Sequence, residues 1–236
     1  MLRRILFLCL VFQITACGEL QNIAGDVLNG NTPLTTAEVA NGLKQALEIG
    51  IGKGSDRLSS VDGYFKSQYK ILLPAEVREV TDKLKKIPGF SQVENEMLKL
   101  LNRGAEDAAK SAKPIFVNAI KQMTFNDAMG ILMGEQTAAT SYLHRTTNDP
   151  LYNAFRPKIV NSLDRVNATK YWRDAVNKYN KIPFVKKLNP ELDDYVTQEA
   201  LKGLFGMVEK EEIAIRSDVS KRTTDLLKKV FAKQDN

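Results

Sequence analysis

From Thr35 to the carboxyl-terminal end, apolar residues recur at intervals of three and four, punctuated by helix starts and stops. That rhythm lines up one face of each helix against a shared interior, and almost nothing shows the period of two that a sheet needs. "TTAE" at 35–38 reads as a capping box ahead of Val39, Leu43, Ala46 and Leu47. "LLPAEVREVTDKLKKIPG" sets Pro74 near a helix start, turns Val77, Val80 and Leu84 inward and stops at Pro88 and Gly89. A second capping box, "SQVE" at 91–94, opens a long helix with Val93, Met97, Leu100, Leu101, Ala105, Ala108 and Ala112 inward. Pro114 starts another, holding Ile115, Ala119 and Met123, and "TFND" at 124–127 caps a short helix ending at Gly134.

The second half continues in kind. Asp149–Pro150 is read as the start of a helix carrying Leu151, Phe155, Ile159 and Leu163, bent at Pro157. Thr169 leads into Tyr171, Trp172, Val176 and Tyr179, a long helix runs from about Pro190 to Arg216, and a last one holds Leu226, Leu227, Val230 and Phe231. "YKILLP" at 69–74 is the strand candidate, with "FVKKL" at 184–188 as the available partner. No internal repeat and no linker-length gap interrupts the pattern. A chain of 236 residues, 43% of them hydrophobic, suffices for one core. The expected fold is all-α, a single multi-helix bundle domain over residues 34–236 with at most one short β-hairpin. "NRGAEDAAKSAKPIF" and "GILMGEQTAATSY" concentrate small residues, which lets helices approach closely and puts polar neighbours at the seams.

The amino-terminal residues have a different character. Arg3 and Arg4 precede an apolar run from Ile5 to Phe12 that is far shorter than the ~20 residues of a spanning helix. Basic start, short apolar core and small residues before a cut are the marks of a secretory signal peptide, here residues 1–16. Ile14–Thr15–Ala16–Cys17 resembles the lipobox of bacterial lipoproteins. That resemblance implies a diacylglyceryl group on the Cys17 thiol, cleavage before it and acylation of its amine. A disulfide would need Cys9, which lies in the segment removed, and a metal site at Cys17 has only Glu19 nearby. Residues 17–33, rich in Gly and Asn, read as a tether with a reach of roughly 20–24 Å. Two or more acyl chains suffice for stable anchoring. Gly18 in place of Asp points, by the sorting rule of Gram-negative bacteria, to the outer membrane, with the domain facing the periplasm.

Charge and composition narrow the chemistry further. Both cysteines lie in the first 17 residues and His144 is the sole histidine, so thiolate catalysis and a histidine-based metal centre find no support, and no cofactor is expected. The net charge of +6 falls to +4 once Arg3 and Arg4 are removed. Lys85–Lys86, Lys186–Lys187 and Lys228–Lys229 are isolated pairs, too sparse for a nucleic-acid surface, and leave room only for weak attraction to anionic headgroups. "GIGKGS" at 50–55 lacks the spacing of a phosphate loop and follows a helix instead of a strand; it reads as a helix terminus.

Two polar groupings stand out. Arg103, Glu106 and Lys110 share a helical face, and Asp127, Glu135, Thr140, Tyr142, His144 and Thr147 follow. Convergence of Glu106 and Asp127, assisted by His144 or Tyr142, would allow acid–base chemistry. The plainer reading makes Arg103–Glu106 a structural ion pair, Asp127 a helix cap and His144 a surface residue. Glu212 and Arg216, one turn apart, form a pair of the favourable orientation.

The strings "LTTAEVANGLKQALEIGIGKG", "ILLP", "NRGAEDAAKSAKPIFVNAIKQMTFNDAMGIL", "AATSYLHRTT", "LYNAFRPKI", "LDDYVTQEALKGLFGMVEKEEIAIR" and "RTTDLLKKVF" together resemble an uncharacterised family of bacterial signal-bearing proteins, a domain of unknown function. The resemblance runs from about Leu34 to Phe231. It implies a secreted or lipid-anchored helical domain and carries no reaction. Residues here that match its pattern are Asn102, Glu106, Asp127, Thr140, Tyr142, Thr146, Tyr195, Glu212 and Arg216, which become the candidate site.

The expectation is a lipid-anchored envelope protein, held to the membrane through Cys17, that binds an apolar small molecule or an envelope protein instead of catalysing a reaction. A pocket between helices lined by Phe116, Met123, Phe205 and Met207 would serve it. The alternatives are an envelope hydrolase using Glu106 and Asp127, and a purely structural envelope component.

Overall fold

The structure is a computed structural model that describes residues 35–75, 78, 90–165 and 168–232. The signal peptide, Cys17, the tether, and Val77, Val80 and Leu84 lie outside the described residues, as do the side chains of Phe90 to Val93 and of Tyr171. The fold is all-α. In chain order the helices whose bounds fall among the described residues are α1 (Thr36–Ser59), α2 (Phe90–Ala109), α3 (Ala112–Gln122), α4 (Phe125–Leu132), α5 (Ala138–Asp164), α6 (Ala168–Tyr179), α7 (Leu192–Ser217) and α8 (Asp225–Phe231). A single 3-10 turn, Val219–Lys221, separates α7 from α8. No described helix is long and apolar enough to cross a membrane.

Helix α5 is the spine, packed against α2 and α7, while α1 lies on α7 and also touches α2, α3, α4 and α8. Leu143, Thr147, Leu151, Phe155, Ile159 and Leu163 recur every four residues along α5 and are all buried. That stripe explains why α5 starts at Ala138 and runs unbroken through Pro150 and Pro157, where the sequence suggested a new helix at Asp149. Each proline costs an interior helix about 3 kcal/mol. Five large buried apolar or aromatic contacts, at about 1.5–3 kcal/mol each, outweigh that cost. Thr146 and Thr147 donate their hydroxyls to the carbonyls of Tyr142 and Leu143, at 2.9 and 2.5 Å, a pattern that bends a helix locally.

The glycines of α1 also differ from expectation. "GIGKGS" sits inside the helix, with Gly50, Gly52, Gly54 and Ser55 buried. A Cβ at Gly50 would lie 3.3 Å from Ile215 Cδ1, and one at Gly54 3.0 Å from Met207 Cγ. Close approach of α1 to α7 uses these small residues, and tertiary packing offsets their poor helix propensity. Helix α4 ends at Leu132 with Met133 as its C-cap, slightly before Gly134.

Neither strand candidate pairs, and no strand forms among the described residues. Residues 71–74 belong to no helix or strand, and at Ile71 a side chain satisfies the backbone where a neighbouring strand would. Asn102 Oδ1 accepts the Ile71 N–H at 2.8 Å, and Asn102 Nδ2 donates to the Ile71 carbonyl at 2.9 Å. Asn180 does the same for Leu188, accepting its N–H and donating to its carbonyl, both at 2.9 Å. Two asparagine amides thus replace the hairpin that the sequence pattern allowed.

Candidate functional site

The matched polar residues fall into separate networks. The first closes the turn after α1. Gly63 permits that turn, since a Cβ there would run into the carbonyls of Arg57 and Leu58, and Asp62 holds a positive φ of 70°. Glu106 Oε1 accepts the N–H groups of Tyr64 and Phe65, each at 3.1 Å, while Oε2 pairs with Arg103. Arg103 in turn reaches Asp62 Oδ1 at 2.5 Å, and Lys66 reaches Asp62 Oδ2 at 2.9 Å. The Lys66 ammonium, and after it the Arg103 guanidinium, hold the Asp62 carboxyl below its ordinary value. Tyr64 is fully buried with its hydroxyl on the Ala200 carbonyl at 2.7 Å; burial, reinforced by the Glu106 carboxylate, pushes its phenol far up.

Asn102 and Tyr195 form a second group around Ile71 and Leu72. While Asn102 grips Ile71, Tyr195 donates its hydroxyl to the Leu72 carbonyl at 2.8 Å, and its ring stacks on Trp172. A third group joins Thr140, Glu212 and Arg216 at the junction of α4 and α5. Glu212 accepts the Ala139 N–H at 2.9 Å and both the N–H and hydroxyl of Thr140 at 2.8 Å, capping α5 from another helix. Arg216 pairs with Glu212 at 3.0 Å and donates to the Ile131 carbonyl at 2.7 Å, satisfying the end of α4. Arg222, 2% exposed, does the equivalent for α7 by donating to the carbonyls of Ile215 and Arg216. Its place in the polar stretch "SKRTT", directly after Lys221, gave no hint of this burial.

Asp127 is a helix cap. It exchanges hydrogen bonds with Thr124 across the first turn of α4, and the Thr124 hydroxyl and N–H hold its carboxyl below the ordinary value. Its charge reaches Tyr142, whose phenol is pushed up by burial first and by Asp127 second. Tyr142 and Thr146 line a cleft of about 370 Å³ against α3. Glu106 and Asp127 therefore serve different networks, each engaged with backbone or structural partners. Among the matched residues from 102 to 147, Thr140 meets Glu212, which in turn pairs with Arg216.

The apolar pocket expected between helices is a filled core. Phe116, Met123 and Met207 are buried, and Phe116 meets Phe205 edge to face at 5.9 Å. Only Phe205 reaches a groove. That groove, about 1180 Å³ and open, runs between α5 and α7 beside residues 68–70. His144 lies over Phe205 with ring centroids 4.5 Å apart, Gly203 and Gly206 keep the floor low, and Ser141, Asn148 and Gln198 offer donors and acceptors along the sides. At one end Tyr152 donates to Asp194 Oδ1 at 2.6 Å. Burial pushes the Asp194 carboxyl up, but the hydrogen bonds from Tyr152, Gln198 and Asn189 outweigh it and hold it below its ordinary value. Reading the sequence singled out His144 but missed the groove, because its two walls are more than forty residues apart even where Tyr152 meets Asp194. No group of three or more His, Cys, Asp or Glu side chains among the described residues is placed to hold a metal.

Comparison with curated proteins and with solved structures returns no match. A family model described as a protein of unknown function, DUF4197, matches residues 33–232, and the chain belongs to that family.

Proposed function

We propose that this is a lipid-anchored protein of the cell envelope, attached through acyl chains on Cys17 to the outer membrane and facing the periplasm. Its helical domain binds a segment of another envelope protein in the α5–α7 groove and performs no catalysis. The observation that carries the reading is the groove itself: an aromatic floor of Phe205 under His144, flanked by the uncharged Ser141, Asn148 and Gln198 and by charges of both signs such as Arg145, Lys202, Asp149 and Glu209, suits an extended polar chain. Of the carboxylates a hydrolase would call on, Glu106 is 4% exposed and already holds two backbone N–H groups and Arg103, and Asp127 is engaged as the cap of α4. The filled core favours a protein segment over a small apolar molecule as the ligand.

Photo-crosslinking from Ser141 or Gln198 in cells, followed by mass spectrometry, tests the groove. A discrete protein adduct, lost when Ser141→Trp fills the space, is the expected result. Absence of any adduct from both positions, with a bare mass in native mass spectrometry of the gently released protein, would sink the binding reading. Palmitate labelling that survives Cys17→Ser would sink the anchor.

A further inference from the structure

We propose that the loop between α6 and α7 is a second membrane contact, which seats the domain on an anionic lipid surface whether or not Cys17 is acylated. At its tip Phe184 is 105% exposed, and Ile182 beside it is 49% exposed. Phe184 also holds a φ of 64°, a left-handed conformation that a bulky side chain rarely adopts. Such an outlier persists only where the surroundings impose it, and here the base of the loop is built to do so. The Asn180 amide clamps both backbone groups of Leu188, and the Lys187 ammonium donates to the Asn180 carbonyl. Trp172 Nε1 donates to the Asn189 carbonyl at 2.9 Å. The loop is thus closed at its neck, and its apolar tip is held out in water.

Charge identifies what the tip meets. Residues 178–189, "KYNKIPFVKKLN", carry Lys178, Lys181, Lys186 and Lys187 and no acidic side chain. Folding adds more cations: Lys186 and Lys187 share a groove of about 590 Å³ with Lys70, Arg78 and Lys202, and Glu199 is the acid among its lining residues. Leu72, 38% exposed, lies in the same lining. An apolar tip of two side chains ringed by long cationic ones matches a bilayer interface. Phe184 and Ile182 enter the acyl boundary, lysine stems snorkel, and ammonium groups meet anionic headgroups. So small an apolar area, with Glu199 against five cations in the groove lining, is a poor fit to a protein partner.

The test uses the full chain carrying Phe184→Trp, with the unsubstituted chain as background, since its one tryptophan, Trp172, is buried. Emission is read with phosphatidylcholine vesicles and with vesicles that also contain phosphatidylglycerol. The expected result is a blue shift with the anionic vesicles alone, quenched by brominated acyl chains and lost at high salt. Lys181→Ala and Lys186→Ala should each weaken vesicle affinity about fivefold. Phe184→Ser, which touches no core, should weaken it roughly tenfold or more. Because the reporter sits in the loop, attachment through the amino terminus alone leaves it unshifted. No shift with anionic vesicles, an equal shift with neutral ones, or a shift that needs added envelope protein overturns the proposal.

Discussion

Glu212 holds Thr140 twice, accepting its backbone N–H and its hydroxyl at 2.8 Å each, and so ties the start of α5 to the last third of α7. The same carboxylate is paired with Arg216, whose other donors close the end of α4. One buried ion pair therefore fixes two helix ends, and removing the acid leaves two helix-start N–H groups without their acceptor and a buried guanidinium without its counter-charge. Glu212→Ala should cost about 3–5 kcal/mol, with Glu212→Gln between it and the parent. Urea unfolding measures this directly; a midpoint shift worth less than about 1 kcal/mol would show that the junction is held by packing.

Asn102 offers a second test, because its amide does the work of a neighbouring strand. Asn102→Ala orphans the N–H and carbonyl of Ile71 inside the core. The expected cost is about 2–6 kcal/mol, from about 1–3 kcal/mol for each of the two unsatisfied buried groups. Asn102→Asp keeps the acceptor but loses the donor to the Ile71 and Leu98 carbonyls, so it should fail as well. Hydrogen exchange at the Ile71 amide should accelerate in both variants. Protection equal to the parent's would mean that Tyr195 alone holds the segment.

How far these features were legible depends on their range along the chain. The reciprocal cap of Thr124 and Asp127, the Arg103–Glu106 pair and the Glu212–Arg216 pair are local, three or four residues apart, and helical spacing alone exposed them. The buried face of α1 at Val39, Leu43, Ala46 and Leu47 was legible for the same reason. What Glu106 and Glu212 grip beyond their arginines, the Tyr64 turn and the start of α5, was not, because those partners are 42 and 72 residues away. The unbroken α5 was hidden by Pro150 and Pro157: local propensity argues for a break, and only burial against α2 and α7 overrides it. The asparagine clamps at Ile71 and Leu188 were hidden too, since extended segments with apolar residues read as strands until the partner proves to be a side chain.

The Asp62 carboxyl gives a pH signature with a definite sign. Lys66 and Arg103 hold its folded pKa below the ordinary 3.8. Above 3.8 both folded and unfolded carboxyls are ionised and the ion pairs contribute fully. As pH falls below 3.8 the unfolded chain takes up its proton first, stability drops, and the contribution is gone once the folded carboxyl titrates. Asp62→Asn tolerates the positive φ and removes the charge. The stability gap between parent and variant should be constant from neutral pH down to about 5 and shrink below 3.8. Unfolding midpoints across that range decide it, and a gap that persists at pH 3 would count against the charge as its source.

Gly203 and Gly130 make opposite predictions from the same substitution. A Cβ at Gly203 would lie 2.9 Å from Tyr64 Cε1 and 3.2 Å from Tyr69 Cβ. Neither ring is free to retreat: the Tyr64 hydroxyl is fixed on the Ala200 carbonyl, and the Tyr69 hydroxyl on that of Gly206 at 3.1 Å. Gly203→Ala should therefore destabilise by about 1–3 kcal/mol and loosen the turn that Glu106 grips. At Gly130, on α4, a Cβ meets nothing within 4 Å. Gly130→Ala should stabilise by about 0.4–1 kcal/mol, through lower entropy in the unfolded chain. Thermal melts of the two variants beside the parent check both signs at once. A tolerated Gly203→Ala would mean that the Tyr64 turn can move away from α7, and the groove floor with it.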